Sequence, residues 1–380
     1  LCIEDARMKY LVLFLSFASF GTIYSTAEEV AAPEEETGNP FQKDEVDKRI
    51  DKAIAFLMSK QRSDGSIMDR GNPTTMTALS LMAMAAVGNQ PVNPDEKGRV
   101  MRRGLDFILK ESNQDTHGYF GNRDGGRMYG HGIITLTLCE MLGMGLDEEQ
   151  DQRLRKRCQK AINLILRSQK VPKSSSHQGG WRYSPDARDA DLSVSIWQLM
   201  SLRSAKNAGL EVPTSAIEDA VGYLERSYHS RLATKADVDA GRAKKVGDPL
   251  NKKSGFAYQP GGHPEYTTTA AGLLAMQVCG EYESPFVKGA ADWLVDNEPN
   301  TGRKFFFYGT YYYAQGMYQR GGDHAKIARK KVEDIMIKLQ RGNGAWHGSG
   351  SENSAGQVYS TSMAVLALAV KYHYLPIYQR

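Results

Sequence analysis

Six times along the chain, a helix with one apolar face is followed by a helix that is apolar on nearly every side. That alternation constrains the fold more than any other feature. The last copy is the cleanest, running from Leu339 to Val370 as LQRGNGAWHGSGSENSAGQVYSTSMAVLALAV. An amphipathic helix ends at Gln340, a Gly-rich turn sets Trp346 two residues after Gly344, and a second helix opens near Tyr359. In the first copy Val46, Ile50, Ala53, Ile54 and Leu57 mark one helical face, ahead of an apolar stretch from Thr75. The pattern returns with Met101, Leu105 and Ile108 before a helix from His131. It returns with Ala161, Ile162, Ile165 and Leu166 before one from Asp191, and with Ile217, Val221 and Leu224 before one from Tyr266. In the fifth copy, Phe286, Ala290, Trp293 and Leu294 precede the aromatic run from Phe305 to Gln315. No stretch has the period of two expected of a strand. A helix that is apolar all round must be covered on most sides, and an open solenoid needs polar capping repeats, which neither terminal pair resembles. The expected fold is therefore all-α: an (α/α)6 toroid of six helix-pair repeats, with the inner helices lining a central cavity.

The chain has 380 residues and a net charge of +4, from 48 basic and 44 acidic side chains. Its densest basic run, Arg153 to Arg157, follows the acidic Glu148 to Asp151. That pattern reads as a solvated helix face, so no nucleic-acid partner is expected. Residues 1–7 precede Met8. Lys9, the apolar run Leu11 to Phe20 and the small residues of Ser25-Thr-Ala27 form a signal peptide over 8–27. Export to the periplasm or beyond, after cleavage near Ala27, is the expectation. The apolar run is shorter than the roughly 20 residues a membrane span needs. Residues 28–45 form an acidic linker with Pro33 and Pro40, and 46–380 form the toroid domain. Cys139, Cys158 and Cys279 are an odd, widely spaced set with no metal pattern, and no cofactor fingerprint occurs. Neither a metal nor a cofactor is expected. A basic insertion spans Lys235 to Lys253, and the oligomeric state is not legible.

Three turns share a spacing: Gln61, Gly65, Ile67; Gln114, Gly118, Phe120; and Gln340, Gly344, Trp346. A Gln at a helix end can bond the open backbone groups of neighbouring turns. Gly permits a left-handed exit from the helix, and the large residue then folds between helix pairs as a staple. This spacing resembles the QW motif of squalene–hopene cyclases and the related protein prenyltransferase β subunits, over roughly Val46 to Tyr374. The chain also resembles secreted bacterial prenyltransferase and squalene oxidase repeat proteins. That likeness rests on Gly180-Trp-Arg-Tyr183, Asp191-Leu-Ser193 with Trp197, the run Tyr308 to Gln315 and the ending Tyr374 to Arg380.

The resemblance implies a toroid that handles an isoprenoid or other apolar small molecule. It also implies a catalytic pair. Asp189-Ala-Asp191 is similar to the DxDD segment of the cyclases, with Asp191 matching the acid that protonates an alkene and Asp189 the first Asp. Leu192 replaces the third Asp, removing a carboxyl that supports such an acid. Read from the residues alone, Asp191 is the N-cap of an apolar helix. The prenyltransferase zinc pattern lacks its Cys near His263-Pro-Glu-Tyr266. Candidate ligand-binding residues are His131, His263 and Glu265, with the aromatics Tyr183, Trp197, Tyr266, Tyr308, Tyr311, Tyr312 and Tyr359. Aromatic faces stabilise cations or stack on sugar rings, and they also pack. Tyr311 to Tyr313 span roughly 200° of a helix, so one of them is expected to face the cavity. Three functions remain open: an isoprenoid binder or enzyme, a non-catalytic cell-envelope scaffold, and a polysaccharide lyase or hydrolase using residues such as Arg127, Arg182 and Glu265.

Overall fold

The computed structural model describes residues 43–379; the segment expected to be a signal peptide, 8–27, and most of the linker expected over 28–45 lie outside them. Among the described residues, twelve long helices alternate between an outer and an inner ring. The outer helices are α1 (Glu45–Ser59), α3 (Glu96–Ile108), α5 (Glu148–Gln169), α7 (Thr214–Ser227), α9 (Pro285–Asp296) and α11 (Gly322–Leu339). The inner helices are α2 (Pro73–Ala86), α4 (Arg127–Glu140), α6 (Leu192–Asn207), α8 (Tyr266–Val278), α10 (Phe306–Arg320) and α12 (Gln357–Leu368). Nearly every inner-helix residue is buried, whereas the outer helices bury one stripe, as their sequences require. Among the described residues there is no strand, only isolated bridges.

Each inner helix packs between two other inner helices, and α12 returns against α2, so the ring closes. Polar side chains tie the neighbours together. Thr137 Oγ1 donates to Ala78 O (3.3 Å), Ser201 Oγ to Gly132 O (2.9 Å), Gln277 Nε2 to Gly316 O (2.8 Å) and Gln315 Nε2 to Leu366 O (3.0 Å). At the seam between first and last repeats the hydroxyls of Ser80 and Ser362 lie 3.5 Å apart. This is the (α/α)6 toroid that the alternation demands.

The turn motif proves to be a staple between adjacent repeats. Gln340 Nε2 donates both to Gly344 O of its own turn (2.9 Å) and to Arg49 O of α1 (2.8 Å). Gln61 bridges Gly65 O and Val100 O, and Gln114 bridges Gly118 O and Arg157 O, in the same way. The structure adds a fourth copy. Gln169 bridges Gly179 O (3.0 Å) and Ala216 O (2.8 Å), with a loop inserted between Gln and Gly that hides the spacing. At Gly344 φ is +86°, and a Cβ there would lie 2.3 Å from Lys52 O. The residue that follows is buried in each case: Ile67, Phe120, Trp181 and Trp346. Both indoles are satisfied, Trp181 Nε1 by Ile165 O and Trp346 Nε1 by Met336 O, each at 2.9 Å.

The centre of the ring is filled below its mouth. Trp197, Tyr311 and Tyr312 pack there on one another. The C-terminal segment closes the far end. Gln319 Nε2 donates to Tyr378 O (2.7 Å), the hydroxyls of Tyr311 and Tyr378 meet, and Ile377 N donates to Glu140 Oε2 (3.0 Å). Ser204 donates to the other Glu140 oxygen. The basic insertion is ordered around Asp237, which accepts hydrogen bonds from Arg231, Arg242 and Thr234. Cys139, Cys158 and Cys279 are free thiols, the first two buried.

Two predictions follow from these contacts. Gln340→Ala leaves the carbonyls of Arg49 and Gly344 without their donor. It should lower unfolding free energy by about 1–3 kcal/mol in denaturant titration, and Gly344→Ala, which adds the clash, should lower it more. Burial raises the Glu140 carboxyl from 4.5 to about 7. Between those values the folded state keeps a proton that the unfolded chain releases, so stability falls as pH rises through this window, by about 3 kcal/mol in total, and is flat above it. Glu140→Gln should abolish that slope in melts from pH 4.5 to 8.

Candidate functional site

All six inner helices point their N-termini at one mouth of the ring, where the partial positive ends of the helices gather. Four of these ends are capped by an acid. Asp191 caps its own helix α6 through Val194 N (2.9 Å). The other three reach across a repeat boundary. Asp124, just before α4, takes Thr74 N (2.6 Å) and Thr75 N (3.2 Å) of α2. Glu352, in the short helix Ser351–Ala355 before α12, takes Phe307 N (3.1 Å) and Tyr308 N (3.0 Å) of α10. Asp69, before α2, takes Gln357 N of α12 (2.6 Å), which laces the seam.

Between these ends lies a cavity of about 480 Å3. Tyr129, Tyr183, Tyr258, Tyr308 and Tyr359 form most of its wall, with Ile133 and Met363 deeper and Ser193, Thr267 and Thr268 between them. Lys304, Phe305 and Glu265 stand exposed at the rim, and Glu352 is buried in the wall at 3% exposure. The tyrosine hydroxyls are used within the wall. Those of Tyr183 and Tyr258 bond each other at 2.6 Å. Tyr308 donates to Ser193 O (3.2 Å) and accepts from Trp197 Nε1 (2.9 Å). Tyr359 donates to Glu352 Oε1 (3.4 Å). Tyr129 stacks on Tyr183 at 6.3 Å. Burial pushes the phenols of Tyr129, Tyr308 and Tyr359 up, so all three stay protonated. The space left for a ligand is bounded mainly by ring and aliphatic surface.

Behind this wall sits an ionic cluster. The Arg182 guanidinium lies 5.0 Å from the Tyr183 ring and 5.6 Å from that of Tyr258. Its Nε is 3.5 Å from Asp191 and 3.6 Å from Asp189. Asp191 is fully buried and also accepts from Ser193 Oγ (2.6 Å), while Asp189 is half exposed. Burial raises the Asp191 carboxyl, against the opposing pull of the Ser193 hydroxyl, the Val194 amide and Arg182. Neither Asp lines the cavity.

Of the residues expected from sequence, the structure brings Tyr183, Glu265, Tyr308 and Tyr359 to the cavity. The others lie elsewhere. Trp197, Tyr311 and Tyr312 are fully buried in the packed centre, so the expectation that one of Tyr311 to Tyr313 faces the cavity is corrected: Tyr308, one turn earlier, does so. Tyr266 packs on Tyr313 beneath Arg303, and His263 is an exposed loop residue beside His229. His131 is part of a staple. Its Nδ1 accepts from Phe120 N (3.3 Å) and its Nε2 faces Ala161 O (3.2 Å). Thr77, Ser195, Thr269 and Thr361 serve the equivalent amides of Ile67, Trp181, Phe256 and Trp346 in other repeats. Tyr258, one of the aromatics clustered at the turns in the sequence, also joins the wall, and Tyr129 and Glu352 do so without a local signal. Glu352 is the one acid between Gly342 and Gly356, and its partners on α10 lie some 45 residues away. Among the described residues, no group of three or more His, Cys, Asp or Glu side chains is placed to hold a metal, and no helix is long and apolar enough to cross a membrane.

No protein-family profile matches this chain, and no curated protein matches its sequence. Solved structures do match. An inactive variant of an α-1,6-mannanase from a Salegentibacter species, bound to α-1,6-mannotriose, superposes with a TM-score of 0.57 at 11% identity, over 86% of this chain and 99% of that one. The type II terpene cyclase MstE from Scytonema gives 0.55 at 15% identity, over 86% and 97%. Cellobiose 2-epimerase from Bacillus thermoamylovorans gives 0.57 at 11%, over 86% and 99%. The fold is shared with all three. At these identities the likeness shows architecture and leaves chemistry open.

Burial lowers the His131 imidazole from 6.5 to about 4. The folded state therefore resists a proton that the unfolded chain takes up, and stability should fall by about 3 kcal/mol as pH drops from 6.5 to 4. His131→Thr, which installs the hydroxyl used by other repeats, should flatten that limb. The His131 and Glu140 slopes oppose each other between pH 4.5 and 6.5, so the His131 limb should stand clear in the Glu140→Gln background.

Proposed function

We propose that this chain is an exported α/α-toroid protein that binds a ligand with an apolar body, of isoprenoid type, in the tyrosine-walled cavity at the inner-helix mouth. The observation behind this reading is the wall itself. Its hydroxyls bond one another, the Ser193 carbonyl and Glu352, so the surface offered to a ligand is largely π-face and aliphatic. A pocket of this kind gains from covering apolar area and has few groups that demand polar partners. The sequence resemblance to squalene–hopene cyclases and the fold shared with a terpene cyclase agree with an isoprenoid.

Asp189 and Asp191 take a supporting part in this reading. Asp191 caps α6 and, with Asp189, holds Arg182 against the outer side of Tyr183 and Tyr258. Alkene protonation by Asp191 would need its carboxyl on the cavity surface, where it does not lie. We therefore assign the pair to holding the wall in place, and binding rather than acid-initiated cyclisation to the cavity.

A carbohydrate ligand is the second reading. It is favoured by two carboxyls, Glu265 and Glu352, on a wall of aromatic rings, since rings stack on sugar faces and paired carboxyls serve glycoside hydrolysis. Lipid extraction of the native protein followed by mass spectrometry separates the two readings. An isoprenoid should be recovered from the wild type and lost from Tyr183→Ala, with Asp191→Asn lowering the yield severalfold rather than abolishing it. Recovery of no lipid, together with saturable binding of a manno-oligosaccharide, would overturn the isoprenoid reading in favour of the glycan.

A further inference from the structure

Among the charged residues of the cavity wall, Glu352 alone is buried; Glu265 and Lys304 stand exposed at the rim. Every group that reaches its carboxyl is a donor. Tyr308 N and Tyr359 Oη point at Oε1, and Phe307 N points at Oε2. The positive end of α10 lies behind it. The Phe306 amide adds a fourth donor, and the longest of the bonds, the 3.4 Å one from Tyr359 Oη, marks the acceptor position that a ligand donor can take over, since the residue lies on the cavity wall where a ligand atom can reach it. Asp124 and Asp69 cap neighbouring repeats in the same way, but neither lines the cavity, whereas Glu352 does. It is carried by a short helix, Ser351–Ala355, between Gly350 (φ +55°) and Gly356 (φ +97°). The same segment brings Ser351 and Ala355 to the cavity.

We propose that Glu352 is the specificity residue of the cavity, accepting a hydrogen bond from a hydroxyl or ammonium group at one end of an otherwise apolar ligand. This rests on the reading of the cavity as a site for apolar ligands. The rings and aliphatic side chains hold the body of the ligand without distinguishing its ends. A ligand with an O–H or N–H gains a hydrogen bond to this buried acceptor in place of the long Tyr359 contact, and a ligand without a donor gains only apolar contact. A ligand with a pure hydrocarbon end should bind by area alone. A ligand with one O–H or N–H should be oriented with that end towards α10.

Three probes of one skeleton test this: farnesene with no donor, farnesol with a hydroxyl and farnesylamine with an ammonium group, each titrated by calorimetry or tryptophan quenching. In the wild type, farnesol or farnesylamine should bind about 10-fold or more tighter than farnesene, the worth of one hydrogen bond to a charged acceptor. Whichever of the two binds tighter identifies the group. In Glu352→Ala the ratio of farnesol or farnesylamine affinity to farnesene affinity should fall to about one, whereas a purely structural role of Glu352 would weaken all three probes together and leave that ratio unchanged. Should Glu352→Ala unfold, Glu352→Gln, which keeps an oxygen for α10, should still cut the discrimination to a few-fold. Equal binding of all three probes to the wild type, or discrimination that survives both substitutions, overturns the proposal and leaves the apolar-ligand reading standing. Failure of every probe to bind the wild type overturns both.

Discussion

A helix that is apolar all round can persist in water only if other helices cover it, and this chain has six. The inner helices cover one another laterally in a closed ring, and the outer helices cover their backs. Everything else follows from keeping that ring closed. A missing contact at any seam would expose two apolar faces at once, and the joint between the first and last repeats is the one the chain cannot protect by connectivity. It is held by Gln340 on Arg49, by Asp69 on Gln357 and by the hydroxyls of Ser80 and Ser362.

The polar groups that hold the ring also shape its mouth. Inner-helix N-termini need acceptors, and the acids that supply them come largely from the loop of the neighbouring repeat. Asp124, Asp69 and Glu352 each cap the helix of the preceding repeat. One of the three, Glu352, also borders the cavity. The ring's closure and the selectivity proposed for the cavity therefore meet in one side chain. The Arg182–Asp189–Asp191 cluster works at one remove, bracing Tyr183 and Tyr258 from behind the cavity wall.

Closure of the far end has a different character. There Tyr378, Tyr311 and Glu140 fill the centre, and a buried carboxyl with a raised pKa receives the backbone of Ile377. The toroid is thus packed solid at one end and hollow at the other. The cavity is what remains where the helix starts diverge and tyrosines, rather than the Trp197 cluster, line the axis.

By itself the sequence determined the number of helix pairs, which member of each pair is inner, and three of the four staples. All of these depend on neighbours in the chain: a helical period of apolar residues, a Gln four residues before a Gly, a plug two residues later. It also pointed to Tyr308 and Tyr359 at inner-helix starts, Glu265 just before one and Tyr183 in the turn ahead of another, and all four meet the cavity. Only the tertiary structure decided the rest. Gln169 is joined to its glycine across an insertion, His131 replaces a hydroxyl that other repeats use, and Tyr311 and Tyr312 turn into the packed axis while Tyr308 faces open space. Glu352 reaches its partners from another repeat. The physical reason is range. Periodicity reports which face of a helix is covered, whereas a ring with six-fold repetition brings together side chains from different repeats, and which of them meet depends on how the helix axes splay at each end of the toroid.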